Sequence, residues 1–124
     1  MSDLLYKDIS YELIGICMNI HNYLGPGFVE IVYKDALEFE LKKAQIEYER
    51  EKEYEITYKG IILDHKFYAD FVVENNIILE IKASSGIPHE FIAQAINYLK
   101  VSGNQLAIII NFGESKLTYK RIVI

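Results

Sequence analysis

The run LAIIINF near the end of the chain is almost free of polar residues. An apolar strand of this kind is typical of a sheet covered on both faces, because neither side of the strand can face water. A helical pattern at 88–102 precedes it, and a second apolar run at 77–83 precedes that helix. Strand, helix and strand in this order form a crossover unit, so strands 77–83 and 105–112 are expected to be parallel, with a right-handed connection.

The remaining elements follow from apolar periodicity and turn residues. Apolar residues at three- and four-residue steps predict helices over 3–24 and 28–44, separated by Gly25-Pro26-Gly27. The other predicted strands are 48–58 and 61–73, which form an antiparallel meander with 77–83, and a final edge strand over 117–124. The order α-α-β-β-β-α-β-β predicts an α/β fold, in which helices flank one mixed sheet in a single domain over residues 1–124.

Composition limits the partners and the compartment. The chain has 13 basic and 18 acidic residues and a net charge of −5, which argues against broad attraction to nucleic acid but allows a local basic groove. Its single cysteine, Cys17, falls in the apolar stripe of the first helix and is predicted to be a core residue. There is no second cysteine for a disulfide, no signal sequence and no apolar run of membrane-spanning length. We therefore expect a soluble, cytoplasmic protein with no membrane partner.

The stretch YADFVVENNIILEIK, residues 68–82, places three charged residues inside two apolar strands: Asp70, Glu80 and Lys82. Side chains alternate along a strand, so Glu80 and Lys82 lie on the same face. The same alternation in the preceding strand predicts one face that carries Phe67, Ala69, Phe71 and Val73. A purely structural hairpin keeps its charges near its ends, so this pattern indicates a functional site.

The turn between these strands decides whether Asp70 shares the face of Glu80, because a shift of one residue reverses every side chain. A two-residue turn would place Asp70 opposite Ile81, on the wrong face. A three-residue loop over 74–76, with Asn76 or a nearby residue in the left-handed conformation, would place Asp70 opposite Glu80. Only the three-residue loop brings the two carboxylates together.

Two carboxylates that converge on one point repel each other unless a cation lies between them. Carboxylate oxygens suit Mg²⁺ or Mn²⁺ better than zinc, so Asp70 and Glu80 are predicted to hold one of these ions. Lys82 beside them would then position an attacking water or offset developing negative charge. The structural alternative, a buried ion pair between Glu80 and Lys82, fits the periodicity equally well.

Other polar residues have structural explanations at this point. Glu30 lies at the start of the second helix, where the helix dipole favours a carboxylate. His21, near the end of the first helix, is a candidate ligand but more simply caps carbonyl groups. Gln94 and Tyr98 are four residues apart and share a helix face. The alternating glutamates of strand 48–58 indicate a solvated face, and no chemistry is assigned to them: Glu49, Glu51, Glu53 and Glu55.

Four short segments occur in the order HNYLGPGFVEIVYKDAL, ADFVVENNIILEIKA, QAINYLK and INFG. Within the first of them, GFVEIVY fits the pattern G-x-x-E-x-x-Y. In these segments the chain resembles the GxxExxY proteins of the PD-(D/E)XK nuclease superfamily, over nearly its whole length. The resemblance implies a restriction-endonuclease-like core and metal-dependent hydrolysis of phosphodiester bonds in nucleic acid, DNA rather than RNA.

The resemblance also assigns individual residues to motif positions. Asp70 stands at the superfamily's aspartate, although Ala69 replaces the preceding proline. The tripeptide EIK, residues 80–82, stands at its E-x-K element. Gln94 and Tyr98 match a Q-x-x-x-Y pattern in which the glutamine supports the active site.

These matches imply a catalytic set and a ligand set. The implied catalytic residues are Glu30, Asp70, Glu80, Lys82 and Gln94. The implied ligands of Mg²⁺ or Mn²⁺ are Asp70, Glu80, the backbone carbonyl of Ile81, and Glu30. Two further function classes remain: a non-catalytic module that binds nucleic acid or protein, and a subunit that needs a partner protein or a second copy, as a homodimer, to complete its groove.

Overall fold

Helices cover both faces of a five-stranded sheet in the computed structural model, which describes residues 5–124. In chain order the elements are α1 (Lys7–Leu24), α2 (Glu30–Lys43), β1 (Tyr48–Tyr54), β2 (Thr57–Tyr58), β3 (Ile61–Ile62), β4 (Phe67–Val73), β5 (Ile77–Lys82), α3 (His89–Ser102), β6 (Leu106–Asn111) and β7 (Thr118–Val123). The sheet has the order β1-β4-β5-β6-β7, and β2 with β3 forms a separate hairpin. Strands β5 and β6 are parallel and the other neighbours are antiparallel, which confirms the predicted mixed α/β fold.

Two apolar layers hold the helices on the sheet. Helices α1 and α2 pack on one face, around Leu37 and Phe71. Helix α3 packs on the opposite face, around Leu99 and Ile109. Strand β6 is buried at every position, as its sequence predicts, because it contributes side chains to both layers. Cys17 is buried in the first layer, which confirms it as a core residue, and burial raises the pKa of its thiol to about 12.

The helices begin close to their predicted bounds. Helix α1 begins at Lys7, because Tyr6 takes a left-handed conformation with a φ of 52°; the predicted start at residue 3 lies outside the described residues. Helix α2 begins at Glu30 rather than at residue 28, and the preceding residue, Val29, is 68% exposed. Gly103 caps α3 with a φ of 79°, a conformation that glycine adopts without strain.

The strands depart from the prediction between β1 and β4. Strands 48–58 and 61–73 are predicted to be continuous, but β1 stops at Tyr54 and β4 starts at Phe67. The β2–β3 hairpin lies between them, and its turn at Lys59-Gly60 has φ values of 49° and 81°. Every residue of β2 and β3 is exposed, so burial does not hold this hairpin in the main sheet. Among the described helices, none has both the length and the apolar character needed to cross a bilayer.

A buried asparagine fixes the chain where β5 ends. The Oδ1 atom of Asn111 accepts hydrogen bonds from the backbone N–H groups of Ser84 and Gly113, each at 3.0 Å. Its Nδ2 atom donates to the carbonyl of Ser84 at 3.0 Å and to the carboxylate of Glu114 at 3.1 Å. The loop that follows Lys82 is therefore tied to the end of β6, which limits how far the end of β5 can move.

Candidate active site

The hairpin of β4 and β5 has the register that brings the two carboxylates together. The paired residues are Phe71 with Leu79, Val72 with Ile78, and Val73 with Ile77, so the loop contains three residues. Asp70 is therefore opposite Glu80, and the two-residue alternative is excluded. The left-handed conformation predicted for Asn76 or a nearby residue is found at Glu74 (φ 52°) and Asn75 (φ 60°). These two conformations turn the chain so that the N–H of Asn76 donates to the carbonyl of Val73 at 3.0 Å.

Side chains replace the backbone ladder where the two acidic residues meet. Backbone pairing of β4 with β5 stops at Phe71 and Leu79. Beyond that point the N–H of Asp70 donates to Oε2 of Glu80 at 3.0 Å, and the N–H of Ile81 donates to Oδ2 of Asp70 at 2.7 Å. Each carboxylate thus binds the backbone of the opposite strand. This exchange opens the ladder and holds both carboxyl groups in the gap.

The alternation of side chains shifts by one residue at Asp70. Ala69 belongs to the layer under α3, whereas Phe71 belongs to the layer under α1 and α2. The prediction that Ala69 and Phe71 share a face is therefore wrong. The neighbouring strand distorts at the same rung, since Glu51 lies between Arg50 and Lys52, which pair with Phe71 and Ala69, and has a φ of 54°. A left-handed glutamate costs on the order of 1 to 3 kcal/mol, and such strain concentrates at functional sites.

Glu80 is the buried acid of this cluster, with only 4% of the residue exposed. Burial, and then the negative charge of Asp70, raise the pKa of Glu80 from 4.5 to about 8. The hydrogen bond from the N–H of Asp70 and the charges of Lys82 and Lys34 lower the pKa but do not cancel the increase. The positive charge near Glu80 therefore does not offset the cost of burying its ionised carboxylate.

This environment predicts a stability that depends on pH. Below about pH 4.5 the carboxyl of Glu80 is protonated in both the folded and unfolded states. Between about pH 4.5 and about pH 8 the folded protein retains a proton that the unfolded chain releases, so the free energy of unfolding falls as pH rises through this window. Glu80→Gln keeps an acceptor for the N–H of Asp70, and it should be more stable than the metal-free wild type by about 1 to 3 kcal/mol near pH 8.5.

Urea unfolding of the wild type and Glu80→Gln, in the presence of a chelator at about pH 4.5 and about pH 8.5, measures this difference. The two proteins should converge in stability at the lower pH. A difference of the same size at both pH values would show that the charge of Glu80 does not cause it.

Lys34 of α2 also reaches the cluster. Its Nζ donates to Oδ1 of Asp70 at 3.1 Å and to the carboxylate of Glu51. Burial tends to lower the pKa of Lys34, but its hydrogen bond to Glu51 and the charge of Asp70 outweigh this effect and raise the pKa. Sequence reasoning assigned no role to Lys34 or Glu51. The one available signal was the position of Lys34 next to Tyr33 on the buried side of α2, since a lysine there needs a partner.

Residues of α3 hold the lysine of β5. The Nζ of Lys82 lies 3.4 Å from Oε1 of Gln94 and 4.5 Å from the centre of the Phe91 ring. It does not form the ion pair with Glu80 that was the structural alternative, since no such contact occurs among the ion pairs of the described residues. Tyr98 stacks on Phe67 with ring centres 4.1 Å apart, and burial raises its pKa to about 12, with Glu80 and Asp70 contributing.

The family model of the PD-(D/E)XK nuclease superfamily matches residues 7–122. The chain belongs to the PD-(D/E)XK nuclease superfamily. The crystal structure of SSO0001 is similar, with a TM-score of 0.60 and 26% sequence identity. The similarity covers 74% of this chain and 48% of that one, so the chain spans about half the length of SSO0001. No curated protein matches the chain.

In this PD-(D/E)XK chain, four of the five candidate catalytic residues lie near one another, around the point where the backbone pairing of β4 with β5 stops. They are Asp70, Glu80, Lys82 and Gln94. Glu30 is exposed at the first residue of α2, and none of the side-chain hydrogen bonds or ion pairs described for residues 5–124 involves its carboxylate. It precedes Lys34 by one helical turn, so both residues lie on the same side of α2.

In this PD-(D/E)XK chain, His21 makes contacts that stabilise the fold. Its ring is buried, stacks on Phe112 with ring centres 6.1 Å apart, and forms a hydrogen bond from Nε2 to the carbonyl of Glu114 at 2.9 Å. The carbonyl of His21 accepts the N–H of Gly25, which ends α1. His21 therefore joins α1 to the loop after β6.

The donor set of this PD-(D/E)XK site suits a hard divalent cation. Among residues 5–124, no group of three or more His, Cys, Asp or Glu side chains lies close enough to hold a metal. The predicted ligand set comprises Asp70, Glu80, the carbonyl of Ile81 and Glu30, and of its three carboxylates the structure places only Asp70 and Glu80 side by side. Burial and the negative charge of Asp70 raise the pKa of the Glu80 carboxyl, and a divalent cation beside it would stabilise its ionised form.

Proposed function

We propose that this chain is a nuclease of the GxxExxY group that hydrolyses phosphodiester bonds of DNA with Mg²⁺ or Mn²⁺ as cofactor. The observation that carries the proposal is the pair of carboxylates in the opened ladder, where Asp70 and Glu80 each bind the backbone of the opposite strand. Burying two acids side by side is costly. A hairpin with a structural role alone would therefore continue its backbone hydrogen bonds at this point.

Each residue has a defined role in this proposal. Asp70, Glu80 and the carbonyl of Ile81 hold the cation, and Glu30 completes or orients its shell. When bound, the cation polarises the scissile phosphate and makes a water molecule more acidic. Lys82 positions that water and offsets the negative charge that develops on the phosphate.

Helix α3 contributes by fixing Lys82. The Nζ group lies over the ring of Phe91 and within hydrogen-bond distance of Gln94, so both residues limit the positions the ammonium group can take. Gln94 supports the site through Lys82 in this way. Because the side chain of Lys82 is already held in place, it loses less conformational entropy when the transition state forms, and its charge is needed there.

Thermal unfolding with Mn²⁺ or Mg²⁺ tests the cofactor assignment. At a metal concentration of about 100 times the dissociation constant, binding to the folded state alone adds about 2.7 kcal/mol, or roughly 10 °C in Tm. Asp70→Asn should abolish this increase. Asp64→Asn, the same change at an exposed aspartate, should leave it intact. A wild type whose Tm does not respond to either ion would contradict the assignment.

One observation favours a second candidate function, a non-catalytic module that binds nucleic acid or protein. Lys34 already supplies a positive charge to Asp70, so a cation is not the only group that can balance this carboxylate. A module of this kind would bind its partner without cleaving it.

We further propose that residues 1–124 act as one nuclease domain, alone, as a homodimer or with a partner protein.

A further inference from the structure

Lys34 occupies the one oxygen of Asp70 that the hairpin leaves free. Oδ2 of Asp70 accepts the N–H of Ile81 at 2.7 Å, whereas Oδ1 faces the Nζ of Lys34 at 3.1 Å. The side chain of Lys34 is only 11% exposed. A buried ammonium group and the largely buried carboxylate of Asp70 are stable together because each compensates the charge of the other.

Glu51 offers the same ammonium group a second carboxylate. Lys34 pairs with Glu51 as well as with Asp70, and the two acids stand on the same rung of β1 and β4. The side chain of Glu51 is 47% exposed, so its carboxylate keeps contact with water. Its left-handed backbone, with a φ of 54°, marks a position whose conformation is strained. Lys34 thus lies between an acid inside the site and an acid at its edge.

We propose that Lys34 is a built-in counter-cation of Asp70 that transfers to Glu51 when a divalent cation binds. The inference rests on the proposed function, because it assumes that Asp70 is a metal ligand. Without metal, Lys34 balances the charge of Asp70 and limits its repulsion with Glu80. With metal, Asp70 has a stronger partner, and Glu51 keeps the displaced ammonium group paired.

Lys34 is then a positioning residue, which changes the affinity for metal through its contact with Asp70. A positive charge next to Oδ1 competes with a second cation for the same oxygen, so the chain should bind metal more weakly than the carboxylates alone would allow. Glu51 reduces this competition by drawing the ammonium group away from Asp70. Removing Lys34 and removing the charge of Glu51 should therefore change metal affinity in opposite directions.

Isothermal titration with Mn²⁺ measures both effects on the intact chain. Lys34→Met should bind Mn²⁺ about tenfold more tightly than the wild type, and Glu51→Gln should bind it several-fold more weakly. Lys34→Arg keeps the charge and should bind close to the wild-type affinity. Lys43→Met removes an exposed lysine from the same helix and should leave the affinity unchanged.

The outcomes separate this inference from the proposed function. If the wild type binds Mn²⁺ and neither Lys34→Met nor Glu51→Gln changes the affinity in the stated direction, the inference is overturned and the metal site stands. If Lys34→Met does not fold, Glu51→Gln decides alone, because it keeps the pair of Lys34 with Asp70. If the wild type binds no Mn²⁺, both the inference and the proposed cofactor are wrong.

Discussion

Lys82→Ala is expected to reduce the rate of nucleic-acid cleavage by about 10²- to 10³-fold while Mn²⁺ still binds. The reason is the placement of the ammonium group, which contacts Gln94 and Phe91 of α3 rather than a carboxylate. Its removal takes away the charge that stabilises the transition state and leaves the proposed ligands in place. Steady-state cleavage and Mn²⁺ titration on the same preparation measure the two properties separately.

Lys100→Ala is the matched control, since it removes an exposed lysine from α3 without touching the site. Its cleavage rate should equal that of the wild type. The account would be contradicted if Lys82→Ala cleaved nucleic acid as fast as Lys100→Ala. It would also be contradicted if Lys82→Ala lost Mn²⁺ binding, because Lys82 would then hold the carboxylates rather than act on the substrate.

Gly113→Ala is expected to destabilise the protein by about 3 kcal/mol, which corresponds to a decrease of roughly 10 °C in Tm. A Cβ atom at Gly113 would lie 2.3 Å from both N and O of Ser84 and 2.7 Å from the carbonyl carbon of Ala83. These are backbone atoms that Asn111 ties to β6, so they cannot rotate away as a side chain would. The loop after β5 must shift, and Lys82 lies at the start of that loop.

Gly86→Ala provides the comparison for Gly113→Ala. Gly86 lies in the loop between β5 and α3, which Gly113 approaches from the end of β6, and a Cβ atom at Gly86 would meet no heavy atom within 4 Å. Its Tm should stay within about 2 °C of the wild type. Equal Tm values for the two variants, by differential scanning calorimetry, would show that the loop after β5 moves freely and does not fix the end of that strand.

The register of the acidic hairpin could be predicted because it depends only on loop length. A three-residue loop was required for Asp70 to face Glu80, and the pairing of Val73 with Ile77 has that length. The conformations inside the loop could not be predicted in the same way. Asparagine tolerates a left-handed backbone well, which favoured Asn76, but the turn placed that conformation at Glu74 and Asn75.

The shift in alternation at Asp70 had no signal in the sequence. Strand periodicity assumes regular backbone on both sides of each residue, and Ala69 and Phe71 both suit a buried face. The two residues nevertheless belong to opposite layers, at the rung where Glu51 of the neighbouring strand has a left-handed backbone. The sequence also could not show which glutamate of β1 has a special role. Glu51 differs from the other glutamates of that strand only in its backbone conformation.

Lys34 was missed for a related reason. A lysine on a helix is usually exposed, and its apolar neighbours on α2 account for the packing of that helix without it. Its position near Asp70 depends on how α2 crosses the sheet. The apolar pattern of α2 alone does not predict that crossing. Glu30 illustrates the opposite case, because the motif pattern assigned it to the site while the fold leaves it exposed at the start of α2.

The most direct test of the account is cleavage of four labelled substrates by the purified chain: single- and double-stranded DNA and single- and double-stranded RNA. The account predicts cleavage of DNA with Mg²⁺ or Mn²⁺, none with a chelator, and none by Asp70→Asn under either condition. Binding of Mn²⁺ by the wild type without cleavage of any of the four substrates would contradict it and would favour the non-catalytic module.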